Sequence, residues 1–350
     1  MTIETIRLRL HFVCLVTLIG ALLTAVPFAR AGDFEDGFEA FQRKDFKNAL
    51  SFWEKSGNSG YTKAQFNVGL MYEKGNGAAQ DYTRAAYWYG LAAASGHSNA
   101  QYNLGDMLMK GTGLPQNVSK GIEWITKSAN QGNSVAQLIL GQTYSSGKYV
   151  PVNYPESIRW YRLAVEQGDA FAQFGLGKLF RDGHGVEQNY KEAVRLLTLA
   201  SKQNLGWAQY SLGALYEAGE GVAENQTEAA RLYKLAAADG VPDAQNAIGI
   251  MYGEGRGVKR QKSEAVRWLM TAAANGNVKS HINLSATYFY GNVTPKDYMR
   301  SAMWLVIAAG GGYREEVSHG KALFEAIGPE SRGKVESMAV LCVSSKYLKC

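Results

Sequence analysis

Ala64-Gln65-Phe66-Asn67-Val68-Gly69 is the first of seven near-copies of one phrase. The others begin at Ala100, Ala136, Ala172, Ala208, Ala244 and Ser280, each 36 residues after the one before. A second anchor keeps the same step: Trp88, Trp124, Trp160, Leu196, Leu232, Trp268 and Trp304. A fixed period of this length marks a solenoid, in which each unit buries its apolar face only by stacking on its neighbours. Arrays of this kind offer a long surface and bind other macromolecules. The period identifies the architecture and leaves the partner open.

Within one unit, Ala64, Val68, Met71 and Tyr72 share one face of a helix. Gly75-Asn76-Gly77 stops that helix, because glycine takes positive φ without strain. Asp81 caps a second helix, on which Ala85, Trp88 and Ala92 share the buried face, and Gly96 closes the unit. The cap recurs as Asn117, Asn153, Asn189, Asn225, Gln261 and Asp297. Glu156, Glu192, Glu228 and Glu264 stand three residues after theirs, so a capping box is expected in four units. The closing position is glycine in each unit except at Asn204, and asparagine also tolerates the left-handed conformation. Gly69 and its counterparts through Gly249 let the two helices approach. The reading is all-α, two antiparallel helices per unit.

The pattern A-Q-x-x-L-G-x-x-Y, G-x-G-V, A-x-x-W, A-A-x-x-G resembles the Sel-one-like repeat, a relative of the tetratricopeptide repeat, over roughly residues 61–312. The resemblance implies a right-handed α/α superhelical solenoid that scaffolds protein complexes or adapts signals. In bacteria it implies work in the envelope or at a host interface. Cysteine-rich members carry a disulfide in each repeat, and the repeats here have no cysteine, so the properties of that branch are not carried over. Two units depart from the pattern. The third has Gly147-Lys148-Tyr149 and the seventh Gly291-Asn292-Val293, each without the second glycine; the seventh also has Ser280-His281 for Ala-Gln.

Residues 1–31 read as an export signal. Arg7 and Arg9 precede an apolar run from Phe12 to Phe28, Pro27 breaks it, and Ala29-Arg30-Ala31 supplies an A-x-A site. The mature chain then starts at Gly32, in a bacterial periplasm or secreted; an uncleaved anchor is the competing reading. Cys14, preceded by Val13, is one more apolar residue of the signal rather than a lipidation site. Taking Arg7, Arg9, Arg30 and Glu4 away from 37 basic and 31 acidic residues leaves 34 and 30, a net of +4. That balance, evenly spread, gives no footprint for nucleic acid. No later stretch is apolar enough to span a bilayer once the signal is removed. Residues 32–60 read as a degenerate first unit with a turn at Arg43-Lys44-Asp45. Residues 313–350 read as capping helices, Tyr313–Ile327 and Glu330–Ser344.

Cys342 and Cys350 form either one disulfide or a reduced pair. Eight helical steps would hold them ~12 Å apart, beyond the ~7 Å limit for a bridge. A bond therefore requires the helix to end between them, at Ser344-Ser345.

No catalytic constellation emerges. His97 and His281 occupy repeat slots, His184 sits in a loop and His319 in the cap, which is no metal-ligand spacing. S-x-x-K at Ser145, Ser318 and Ser331 lacks the companion motifs of penicillin-recognising enzymes. The G-x-G loops follow helices rather than strands, so they are helix stops and not nucleotide cradles. No cofactor is expected.

What remains is the face the repeat leaves free. On each first helix the positions three, six and ten after the anchor form a stripe that varies while its neighbours hold. The candidate partner-binding residues on it are Asn67, Lys74, Asn103, Asp106, Lys110, Ile139, Gln142, Lys178, Asp182, Ser211, Glu254, Asn283 and Tyr290. The expectation is an exported, non-enzymatic scaffold that holds a protein or peptide, a cell-envelope component among the candidates, on its concave face. The alternative is an envelope enzyme or glycan-binding accessory using the same groove.

Overall fold

The computed structural model describes residues 32–312, 319–347 and 350. The expected signal with its cleavage site, Cys14, and residues 313–318 of the first expected capping helix lie outside the described residues. The chain gathers into two compact units that divide at Ala164–Val165. Among the described residues every regular element is a helix.

The first unit opens with α1 (residues 32–42) and α2 (Phe46–Asn58). Three pairs follow: α3 (Thr62–Lys74) and α4 (Tyr82–Ala94), α5 (Ser98–Lys110) and α6 (Val118–Asn130), α7 (Ser134–Ser146) and α8 (Tyr154–Glu166). The second unit has α9 (Ala170–Asp182) and α10 (Tyr190–Lys202), α11 (Gly206–Ala218) and α12 (Gln226–Ala238). It continues with α13 (Pro242–Glu254) and α14 (Lys262–Ala274), then α15 (Val278–Tyr290) and α16 (Tyr298–Gly310). It ends with α17 (Gly320–Ile327), a 3₁₀ turn (Pro329–Ser331) and α18 (Arg332–Ser344). Within each unit consecutive helices pack on one another, and the fold is an α-solenoid of helix pairs.

The stops act as their chemistry dictates. Gly75 ends α3 at φ 71°, and Asn204 takes the left-handed conformation at φ 62° where the other repeats have glycine. The small residue on each first helix sets the spacing of the pair. A Cβ on Gly105 would lie 2.6 Å from Ile125 Cγ1, and one on Gly249 would lie 3.0 Å from Leu269 Cγ. In the seventh repeat Ser285 takes that place, and its hydroxyl lies 2.9 Å from Ser301 Oγ and 2.8 Å from His319 Nε2.

The repeated glutamine fastens one pair to the next. Gln101 Nε2 donates to Ala93 O, eight residues back on α4, at 3.2 Å; Gln131 Nε2 donates to Gln101 Oε1 at 2.7 Å. In the second unit Gln245 Nε2 donates to Ala237 O at 3.1 Å and Asn275 Nδ2 donates to Gln245 Oε1 at 2.9 Å. Each rung satisfies a carbonyl near a helix end as well as the buried amide itself. In the seventh repeat His281 replaces the glutamine and Gly311 stands where the side-chain donor would be. Among the described residues neither His281 nitrogen has a hydrogen-bond partner, and both are buried.

Two sequence expectations need correction. The Asn and Asp N-caps form, with Asn189 Oδ1 accepting from Glu192 N and Asn225 Oδ1 from Glu228 N, each at 3.0 Å, whereas Gln261, a weak cap by its chemistry, makes no side-chain cap bond. The reciprocal half of the capping box does not form. The cap N–H is already taken by a carbonyl of the preceding helix, Asn189 N to Phe180 O and Asn225 N to Tyr216 O, both 2.9 Å. The glutamates turn instead to arginines three residues on, with Arg195–Glu192 and Arg231–Glu228 each at 2.7 Å. Likewise the last helix starts at Arg332 rather than Glu330, because Pro329–Ser331 forms a 3₁₀ turn first.

After α18 the chain reverses through Lys346 (φ 51°) and Tyr347 (φ 67°). Cys342 and Cys350 are bonded, their Cα atoms 4.9 Å apart. The reversal lays Tyr347 flat against Trp304, ring centroids 6.0 Å apart and planes at 4°, with His281 at 5.8 Å from both rings.

Candidate partner-binding face

The stripe falls on the first helix of each pair, and its residues differ in reach. In the first unit Lys74, Lys110 and Gln142 are exposed, and Asn67, Asn103, Asp106 and Ile139 are half-buried. In the second unit Lys178, Asp182, Glu254 and Tyr290 are exposed and Asn283 is half-buried. Ser211 is a correction. It is only 5% exposed, and so short a side chain does not clear its surroundings to meet a partner.

Most charges of the face are internally paired, while Lys178 lies over the Phe174 ring, Nζ 5.5 Å from its centroid. Lys110 Nζ lies 2.7 Å from Asp106 Oδ2, four residues back on α5, and this bond raises the lysine pKa. Lys74 Nζ lies 3.2 Å from Glu73 Oε1. Arg181 holds Asp182 through Nε at 2.7 Å and Nη2 at 3.0 Å, which keeps that carboxyl below its usual range. Arg256 bridges Glu254 to Glu217 of the preceding repeat. The face therefore presents alternating dipoles rather than a field of one sign.

Behind the stripe lies a column not singled out above, one residue before the tenth position. Glu73 Oε2 accepts from Tyr89 Oη at 2.6 Å, and Glu217 Oε2 accepts from Tyr233 Oη at 2.7 Å. Burial, and then the bonded carboxylate, push both phenols well above their ordinary value. In the third repeat Ser145 Oγ and Tyr161 Oη meet at 3.3 Å. Where the second helix carries an aliphatic instead, the column carries no such acceptor: Met109 faces a repeat with Ile125, and Gly253 one with Leu269. The signal was present in the sequence as a paired change of two columns sixteen residues apart.

Between α13 and α15 the stripe encloses space. Ile250 and Glu254 on one side, with Asn283, Ala286 and Tyr290 on the other, line a cleft of about 530 Å³. Its floor is Gly249, Gly253, Ala265 and Leu269. Arg260 closes one end, its Nε donating to Gly253 O at 2.8 Å and its Nη2 to Asn292 O at 3.0 Å.

His97 serves the scaffold. His97 Nδ1 accepts from Ala100 N at 3.3 Å as the cap of α5, and its ring stacks on Phe66 at 4.5 Å. Among the described residues no group of three or more His, Cys, Asp or Glu is placed to hold a metal, and no helix is long and apolar enough to cross a membrane.

Comparison with known proteins bears on the whole repeat region. The profile described as Sel1 repeat matches residues 62–97, 98–133, 134–169, 170–205, 208–241, 242–277 and 278–313. Among solved structures, a protective antigen of uropathogenic Escherichia coli strains displaying an SLR fold superposes with TM-score 0.83 at 25% identity, covering 91% of this chain and 70% of that one. A Sel1 repeat protein from Oxalobacter formigenes superposes with TM-score 0.62 at 28% identity, covering 69% of this chain and 96% of that one. The DAP3-binding cell death enhancer 1 of Rattus norvegicus and that of Mus musculus are each 41% identical over 49 residues. Those matches span 14% of this chain and only 10% of the length of these curated relatives.

Proposed function

This chain belongs to the Sel1 repeat family, and we propose that it is an exported, non-enzymatic scaffold that holds a protein or peptide against the first helices of its repeats. Sel1-repeat solenoids generally act through protein–protein interaction and are typically non-enzymatic. The observation that carries the finer reading is the cleft between α13 and α15, where stripe residues of adjacent repeats converge around one space. Export rests on residues 1–31, with their basic start, apolar run and A-x-A site. It agrees with the protective-antigen role named for the similarly folded E. coli protein. Periplasm or secretion is the proposed compartment, and a cell-envelope protein the proposed partner.

A photoreactive residue placed at Lys110 or Lys178 tests the face in the native compartment. The expected result is a discrete crosslinked protein from these positions and none from Tyr87, which is exposed on the second helix of its pair. Adducts from Tyr87 alone, or equal yields from both faces, would remove the assignment and leave the fold untouched.

A further inference from the structure

The cleft between the sixth and seventh repeats is a place where the chain lacks something it carries elsewhere. In the fifth repeat the equivalent position holds the phenol of Tyr233 against the carboxylate of Glu217, 2.7 Å apart. In the first repeat it holds Tyr89 against Glu73, 2.6 Å apart, with Asn103 of the following first helix beside that hydroxyl. Thirty-six residues after the Glu217–Tyr233 pair stand Gly253 and Leu269, so the ring's outer atoms and the whole carboxylate side chain are gone. The neighbouring helix adds to the opening, because Ala286 stands where the second, third and fourth repeats have Asp106, Gln142 and Lys178; the fifth has Ala214. Asn283, the counterpart of Asn103, remains in the lining; its Nδ2 donates to Asn246 Oδ1 at 2.7 Å, so an acceptor role in the cleft falls to its Oδ1.

We propose that this cleft is a specificity pocket for an aromatic side chain of a partner polypeptide, tyrosine above all, which supplies from outside the ring that the first, third and fifth repeats supply from within. The inference rests on the scaffold reading and adds what the partner must present. The floor of Leu269 and Ala265 takes the ring face, Ile250 and Ala286 flank it, and the Asn283 amide oxygen accepts the phenol proton. Val293 adds an apolar wall beside Gly253, its Cγ2 3.3 Å from where a Cβ there would stand, and the remaining rim is polar, with Glu254 and Tyr290 exposed. Apolar floors with a few placed polar groups are how pockets combine affinity with orientation. A hydroxyl read by a half-buried amide also separates tyrosine from phenylalanine, which would leave that amide unpaired.

The test uses the full mature chain and N-acetyl-tyrosinamide, followed by ligand-observed and methyl NMR. Binding in the millimolar range is expected, with shifts at Leu269 and Ile250. N-acetyl-phenylalaninamide should bind less tightly, and N-acetyl-alaninamide should not bind. The double variant G253E/L269Y rebuilds the fifth repeat's internal pair and should weaken tyrosinamide by about tenfold or more with Tm retained. If that variant does not fold, A286F plugs the cleft from the opposite helix and carries the same expectation. No binding to the wild type, or equal binding by a folded plugged variant, would overturn the pocket. Should crosslinks form at Lys110 while the cleft stays empty, the scaffold reading survives and only the aromatic specificity falls. Absence of both removes both.

Discussion

Tyr233 shows what one side chain does in this fold. Its ring fills the space between paired helices, and its hydroxyl reaches the edge of the partner face to meet Glu217, which Arg256 also holds. A hydrogen bond to a charged group contributes about 1.5–3 kcal/mol when buried, less when one side sees water as here. Y233F should therefore cost about 1 kcal/mol, and chemical denaturation of the folded variant measures it. In the same protein, absorbance titration should find Tyr89 and Tyr233 still protonated after the exposed phenols have ionised, since burial and a carboxylate partner both oppose the phenolate. Early ionisation of every tyrosine would show that these bonds do not persist in solution. That pairing was legible in retrospect, as Tyr with an acceptor and Leu or Ile without one. It stayed hidden while each column was read alone, because the pair is sixteen residues apart and joins two helices.

Among elements, the helices and their stops followed from local chemistry. A cap, an apolar face and a left-handed glycine each act within a few residues, and Asn204 obeys the same rule. What escaped was decided by competition from elsewhere in the fold. The glutamates of the expected capping boxes lost their target to a carbonyl of the preceding helix. Ser211 lay on the expected stripe but too deep to be reached. Cleft formation depended on what two neighbouring helices both lacked. His281 is the sharpest element-level departure, replacing a rung glutamine of α15. Burial alone lowers its pKa from the ordinary 6.5, and that of His319 likewise. The unfolded chain then takes up protons first as pH falls. Stability is complete above the ordinary imidazole value, declines as pH drops through it, and levels off only below the depressed folded values. H281Q should make the decline of Tm between about pH 7 and about pH 5 shallower, and glutamine can again reach the Ala273 carbonyl eight residues back. An unchanged slope would assign the acid sensitivity to His319 and His97.

At the scale of the whole chain, the ends are treated differently from the repeats. The start is proposed to be removed on export, and the finish is tied back on itself by Cys342–Cys350. One measurement addresses both. Intact mass of unreduced protein from its native compartment should correspond to a chain beginning at Gly32 and lighter than the fully reduced form by the two hydrogens of one disulfide. A full-length mass would favour the retained anchor, and a reduced mass would show free thiols at the cap. Closing so short a loop contributes on the order of 2–3 kcal/mol, so reduction should loosen the Trp304–Tyr347 stack before it reaches the rest of the second unit.

The glutamine rungs carry a consequence for ancestry. Any repeat that brings its own glutamine, helix-end carbonyl and amide donor can be copied in beside its parent without a new invention at either seam. The last repeat cannot be extended so simply: His281 offers no amide, Gly311 offers no side chain, and Tyr347 already occupies the docking surface of Trp304. Interior repeats are thus the ones that tandem duplication can add or remove with no new chemistry at a seam.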